Sequence, residues 1–69
     1  MPTPEELYDQ GVDLFSEGKY DDAIAAYEQA LACDPDFVDA YHNVVRLHEK
    51  RGDKAAALRV LKRLRERSR

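Results

Sequence analysis

The 69-residue chain holds a single cysteine, Cys33, so no internal disulfide can staple it. A chain this short must then hold together through apolar packing, near the lower size limit for a self-sufficient core. No apolar run approaches the roughly 20 residues that a membrane-spanning helix requires. No secretory leader is legible, and a lone cysteine fits a reducing compartment, so a cytoplasmic location away from membranes is expected. No stretch alternates apolar and polar residues with period two, and no strand is expected. The glycines stand apart at Gly11, Gly18 and Gly52 and form no phosphate-cradling loop. What the sequence does have is an apolar content of 43%, too high for a disordered tail.

Those apolar residues recur at helical spacing between clear stops. Thr3-Pro4-Glu5-Glu6 is a start signal: Thr3 can cap, Pro4 has no N–H to leave unpaired, and Glu6 completes a capping box. Leu7, Gly11 and Leu14 follow until Gly18, the residue type that takes a left-handed stop without strain. Asp21 is expected to cap a second helix carrying Ala23, Ile24, Tyr27, Ala30 and Leu31. That helix must end before Asp34-Pro35, because the residue preceding proline avoids the helical region. Asp36 is expected to cap a third helix, with Ala40, Tyr41, Val44, Val45 and Leu47, ending near Gly52. Asp53 opens a fourth, with Ala57, Leu58, Val60, Leu61 and Leu64. Connections this short lay each helix antiparallel to the one before.

Shifted by about 34 residues, a period known for helix–turn–helix repeats, the sequence lines up with itself. Gly18 falls on Gly52, Ala23 on Ala57, Ile24 on Leu58, Leu7 on Tyr41 and Tyr27 on Leu61. Residues 4–37 read Leu7, Gln10-Gly11, Leu14, Gly18-x-Tyr20, Ala23, Tyr27, Ala30 and Asp34-Pro35. This pattern resembles the tetratricopeptide repeat family. Residues 38–69 are a degenerate second copy that keeps Tyr41, Gly52 and Ala57. It replaces Gly11 by Val45, Leu14 by His48 and Ala30 by Leu64, and has Arg69 at the closing proline. The resemblance implies an all-α fold of one domain over residues 1–69. Its four helices would form two antiparallel helix–turn–helix repeats in a short right-handed α-solenoid. Val45, larger than glycine, should widen the contact between the third and fourth helices.

Equivalent positions mark the ends of the array. Ala40, Val44 and Leu47 form an apolar row expected to pack back onto the first repeat, whereas their counterparts Glu6, Gln10 and Asp13 are polar. Arg65 and Arg67 replace Leu31 and Cys33, leaving Leu61 and Leu64 as the apolar remainder of the C-terminal face. Terminal repeats need polar outer faces, so the chain reads as a finished two-repeat unit with a true start at Met1. Cys33 falls at a repeat position that is normally apolar and buried, and a structural cysteine is expected there.

In this family the first helix of each repeat lines a concave groove that holds an extended peptide or a partner's helix. The resemblance therefore implies a protein or peptide partner. It assigns the groove to Glu5, Tyr8, Asp9, Val12, Phe15 and Ser16, and to Asp39, His42, Asn43, Arg46, Glu49 and Lys50. The residues themselves agree for one row, since Tyr8, Val12 and Phe15 share a helical face distinct from that of Leu7, Gly11 and Leu14. Apolar anchors beside His42, Asn43 and Arg46 have the make-up of a peptide site. Tyr8 and Phe15 could equally serve to finish a thin core. The family's chaperone adaptors grip a C-terminal dicarboxylate with lysine and asparagine on the first helix and asparagine on the third. Here Tyr8 and Val12 take the first two places and only Asn43 matches, so such a tail is not expected.

No catalytic arrangement, cofactor or metal site is expected. His42 and His48 lie six residues apart on different faces of one helix. Glu5-Glu6 and Asp21-Asp22 are helix-start residues favoured by the macrodipole. The net charge of −3 conceals a sharp division: residues 1–40 carry eleven acids against Lys19, whereas residues 41–69 carry ten bases against three acids. One reading is internal pairing between repeats, such as Glu28 with Lys62. A second is weak, salt-sensitive head-to-tail association, with Glu6 and Asp13 meeting Arg65 and Arg67 of another copy around Leu64. A third, nucleic-acid binding through Lys62, Arg63, Arg65, Arg67 and Arg69, is disfavoured because the acidic half repels phosphate. The expectation is an adaptor or scaffold that binds a partner's segment, with self-assembly as the alternative.

Overall fold

The computed structural model describes residues 1–67. It is built from α1 (Pro4–Ser16), α2 (Tyr20–Cys33), α3 (Val38–Lys50) and α4 (Lys54–Arg67). Arg69, which closes both the basic stripe and the second repeat, lies outside the described residues. The start of α1 is the expected capping box. Thr3 Oγ1 accepts from the Glu6 N–H at 3.1 Å, and Glu6 Oε1 accepts from the Thr3 N–H at 3.2 Å. Both hairpin turns use a left-handed glycine, Gly18 at φ +79 and Gly52 at φ +76. The N–H of Lys19 reaches back to Leu14 O and that of Gly18 to Phe15 O, while Asp53 and Gly52 do the same to His48 and Glu49. Each turn is thus a Schellman stop that satisfies the last carbonyls of its helix.

Two caps differ from expectation. Helix α2 begins at Tyr20 with Lys19 at the cap and no side-chain bond, so Asp21 sits inside the first turn. There Asp21 gains from the macrodipole and pairs with Arg51 at 2.6 Å. Helix α3 is preceded by Phe37, not capped by Asp36. The Phe37 ring stacks on Tyr8 with centroids 5.1 Å apart, so this position serves packing. The loop before it is tied locally: Asp34 Oδ1 accepts from the Asp36 N–H, and the Tyr41 hydroxyl donates to Pro35 O. Asp53 does cap α4, accepting from the Ala56 N–H at 3.1 Å.

Adjacent helices pack against each other in chain order, α1 on α2, α2 on α3 and α3 on α4. The core centres on α2 and α3, where Tyr27, Val44 and Leu47 are fully buried with Ala23, Ala30 and Ala40. Ala40, Val44 and Leu47 are indeed inward. No charged or polar residue is buried among the described residues. Helix α1 enters through Leu7 and Gly11, and the missing side chain at Gly11 is what admits the Tyr27 ring. The α3–α4 contact is the less extensive of the two hairpins.

Cys33 is exposed and free, which corrects the expectation of a buried structural thiol. Leu31 is the inward residue of that turn, and two residues further a helix has rotated by about 200°. Leu58 likewise faces solvent, at 63% exposure, because Ala57 and Val60 take the inward positions of α4. The body measures 28 × 27 × 13 Å. A slab so thin encloses no large cavity, and any ligand must sit on one of its faces.

Candidate functional site

Helices α1 and α3 lie side by side and run in the same direction. Tyr8, early in α1, meets Phe37 and Asn43, whereas Phe15, near its end, meets Arg46 and Lys50. Between them opens a cleft of about 380 Å³ lined by Tyr8, Val12, Phe15, Ser16, Tyr27, Asn43 and Arg46. Tyr8 and Phe15 are half-buried and also pack on the core, so they do both of the things their sequence pattern allows. Val12 remains 41% exposed and is the one aliphatic anchor open to a ligand.

Asn43 fixes the floor of this cleft. Its Nδ2 donates to the Tyr8 hydroxyl at 2.9 Å and to the Tyr27 hydroxyl at 3.3 Å. The Tyr8 and Tyr27 rings lie 5.5 Å apart and tilted, and Phe37 closes the far side of Tyr8. Burial pushes the Tyr27 hydroxyl above the usual pKa of 10.0. The Asn43 hydrogen bond opposes that shift, as does the positive charge of Arg46, while Tyr8 adds to it. At the other end, Arg46 and Lys50 stand over the Phe15 ring, 5.9 and 6.0 Å from its centroid. Tyr20 meets the same ring edge-on at 5.7 Å.

Of the groove residues expected from the sequence, Tyr8, Val12, Phe15, Ser16, Asn43 and Arg46 come together. His42 and Glu49 are exposed on α3 and do not line the cleft. The contribution of Tyr27 was not anticipated, because its repeat position marks it as core. Tyr27 is fully buried, and its hydroxyl lies beneath the cleft, bonded to Asn43. The signal is the residue type, since tyrosine sets a polar hydroxyl at the far end of a core-forming ring.

Part of the charge division is taken up within the chain. Arg51 pairs with Asp21, Arg63 with Glu28 through two hydrogen bonds of 3.1 and 3.2 Å, and Arg67 with Asp36 at 2.7 Å. Each links the acidic first half to the basic second half. The partner of Glu28 is Arg63 and not Lys62, because Arg63 turns toward α2 and lays its guanidinium over Tyr41 at 5.6 Å. Two residues expected at a self-association contact are engaged internally, Glu6 in the capping box and Arg67 with Asp36. Asp13 and Arg65 are exposed, and Leu64 is half-buried. A second recess, of about 340 Å³, is lined by Leu31, Pro35, Tyr41, Arg63, Glu66 and Arg67, two of them the paired arginines. Among the described residues no group of three or more His, Cys, Asp or Glu is placed to hold a metal. No helix among them is long and apolar enough to cross a membrane.

A tetratricopeptide repeat family model matches residues 14–69, well over half of the chain. No curated protein and no solved structure matches it. The family is in general a protein–protein interaction module. With the four antiparallel helices, the glycine stops and the core of small and aromatic residues, the match settles the assignment: the chain belongs to the tetratricopeptide repeat family.

Proposed function

We propose that this chain is an adaptor or scaffold, without catalytic activity, that binds a segment of a partner protein in the cleft between α1 and α3. Residues 4–37 and 38–69 act in this reading as two repeats whose first helices face the ligand. The observation that carries it is the half-exposed Val12 set among Tyr8, Phe15, Asn43 and Arg46. An apolar anchor ringed by a few fixed polar groups is the usual composition of a recognition site. Alanine at Tyr8 or Phe15 would disturb the core as well, so the test uses Val12→Asp, which reaches the cleft alone. Partners retained by the wild-type chain and by Arg65→Glu, but lost by Val12→Asp, support the reading. Retention of every partner by Val12→Asp defeats it.

The alternative is head-to-tail self-assembly, favoured by the exposed Leu58 on a basic α4. It is the weaker of the two, because Glu6 and Arg67 are already engaged within the chain. Sizing at low and high salt, under reducing conditions to keep Cys33 from cross-linking, tests it directly. A mass that stays monomeric in both excludes it.

A further inference from the structure

We propose that the cleft takes an acidic–apolar segment of a partner protein in one orientation, with a side-chain carboxylate at the Arg46 and Lys50 end and an apolar side chain over Val12 and Phe15. This rests on the cleft reading above and adds to it the chemistry and the direction of the occupant.

Direction follows from the parallel course of α1 and α3. Their first turns share one end of the cleft and their last turns the other. The first-turn end carries Glu5, Asp9 and Asp39, whereas the last-turn end carries Arg46 and Lys50. Asp13, Glu17 and Glu49 also lie toward that end, but like the acids of the first-turn end they are exposed and do not line the cleft. The charge at the cleft itself is therefore that of Arg46 and Lys50, set at one end over Phe15, and an occupant with charge of its own has a preferred way round.

Chemistry follows from which groups are already engaged. Arg51, Arg63 and Arg67 each hold an acid of the first half, but Arg46 and Lys50 have no carboxylate partner among the described residues. Both instead rest on the Phe15 ring. Positive charge kept beside apolar surface matches an occupant that brings an acid next to an apolar side chain.

The polar lining points the same way. Both N–H groups of Asn43 go to phenolic oxygens, so the hydroxyl of the half-buried Tyr8 keeps a proton to donate to an occupant, while the fully buried Tyr27 supports it from below. With the Arg46 guanidinium, the cleft offers mostly donors, and no carboxylate lines it. Such a surface suits the carbonyls and carboxylates of a peptide. From Tyr8 to Phe15 the α1 axis rises about 10 Å, the length of roughly three extended residues.

A library of random heptapeptides, displayed between fixed flanks so that no free carboxyl terminus is present, tests the proposal on the full chain. The expected consensus places Asp or Glu within two or three residues of a large apolar side chain. A synthetic peptide of that consensus should bind about tenfold more weakly to the Arg46→Glu, Lys50→Glu chain. Its lysine-substituted version should prefer that variant to the wild type. A neutral or basic consensus, or equal affinity for the two chains, overturns the charge assignment and leaves the cleft reading standing. Peptides that bind Val12→Asp as well as wild type, or the absence of any enrichment, overturn both. Val12, Arg46 and Lys50 are exposed, and circular dichroism matching the wild type shows that each variant is folded.

Discussion

A Cβ added at Gly11 would stand 2.5 Å from Cε1 of the buried Tyr27 ring. The ring is locked between α1 and α3 and cannot move aside, so the close approach requires glycine at position 11. Alanine would gain up to about 1 kcal/mol in helix propensity but incur an overpacking cost of about 1–3 kcal/mol. Gly11→Ala is therefore expected to lose about 0–2 kcal/mol net in urea unfolding. A gain in stability would show that the ring and the helix are not in contact.

Tyr27 also links stability to pH. Burial holds its folded-state pKa above the ordinary 10.0, so the folded chain keeps the proton longer than the unfolded one. The associated stability is fully present below pH 10 and is lost as pH rises through the raised value. Tyrosinate absorbance should show a component from Tyr27 that titrates above pH 10. Asn43→Ala removes the hydrogen bond that opposes the shift, so Tyr27 should then titrate later still. An unchanged or earlier titration in that variant would contradict the geometry.

His48 stands where the first repeat has Leu14, and its Nδ1 is buried without a hydrogen-bond partner among the described residues. Leaving such an atom unpaired costs about 1–3 kcal/mol. His48→Leu restores the apolar residue of the equivalent position. It is expected to stabilise the chain by about 1 kcal/mol, measured by denaturant midpoint at constant m-value.

The Glu28–Arg63 pair crosses between the hairpins with two hydrogen bonds, but both side chains remain substantially exposed. Its contribution is therefore small, and a double-mutant cycle of Glu28→Gln and Arg63→Gln should give a coupling of about 0–1 kcal/mol that shrinks in high salt. The same cycle on Glu28 and Lys62 should give none. Coupling at Lys62 in place of Arg63 would mean that α4 is rotated by one residue relative to the arrangement described.

The features readable from sequence were those whose partners lie within a few residues. The Thr3–Glu6 box, the Gly18 and Gly52 stops and the Asp53 cap all have local partners, and the 34-residue self-match supplies the hairpins. What escaped reading depends on how one helix is rotated against another. Cys33 faces water because Leu31 takes the inward place, and Glu28 finds Arg63 because α4 turns that residue toward α2. Phe37 displaces Asp36 as the residue before α3 because a stacking partner, Tyr8, lies in a different helix. The cleft row Tyr8, Val12 and Phe15 was legible as a helical face. The Tyr27 hydroxyl was not, because its place beneath the cleft requires α2, α1 and α3 to be packed first.

The three ion pairs between the hairpins have a consequence for how the chain could be divided. Cut at the Asp34–Phe37 loop, it yields an N-terminal piece with ten acids and one lysine, and a C-terminal piece with ten bases and four acids. Each fragment repels its own kind and carries the counter-charges that dock the other. The Asp21–Arg51 and Glu28–Arg63 contacts lie outside that loop and would serve equally well between molecules, so a straightened loop that exchanged hairpins between two copies would keep both of these bridges.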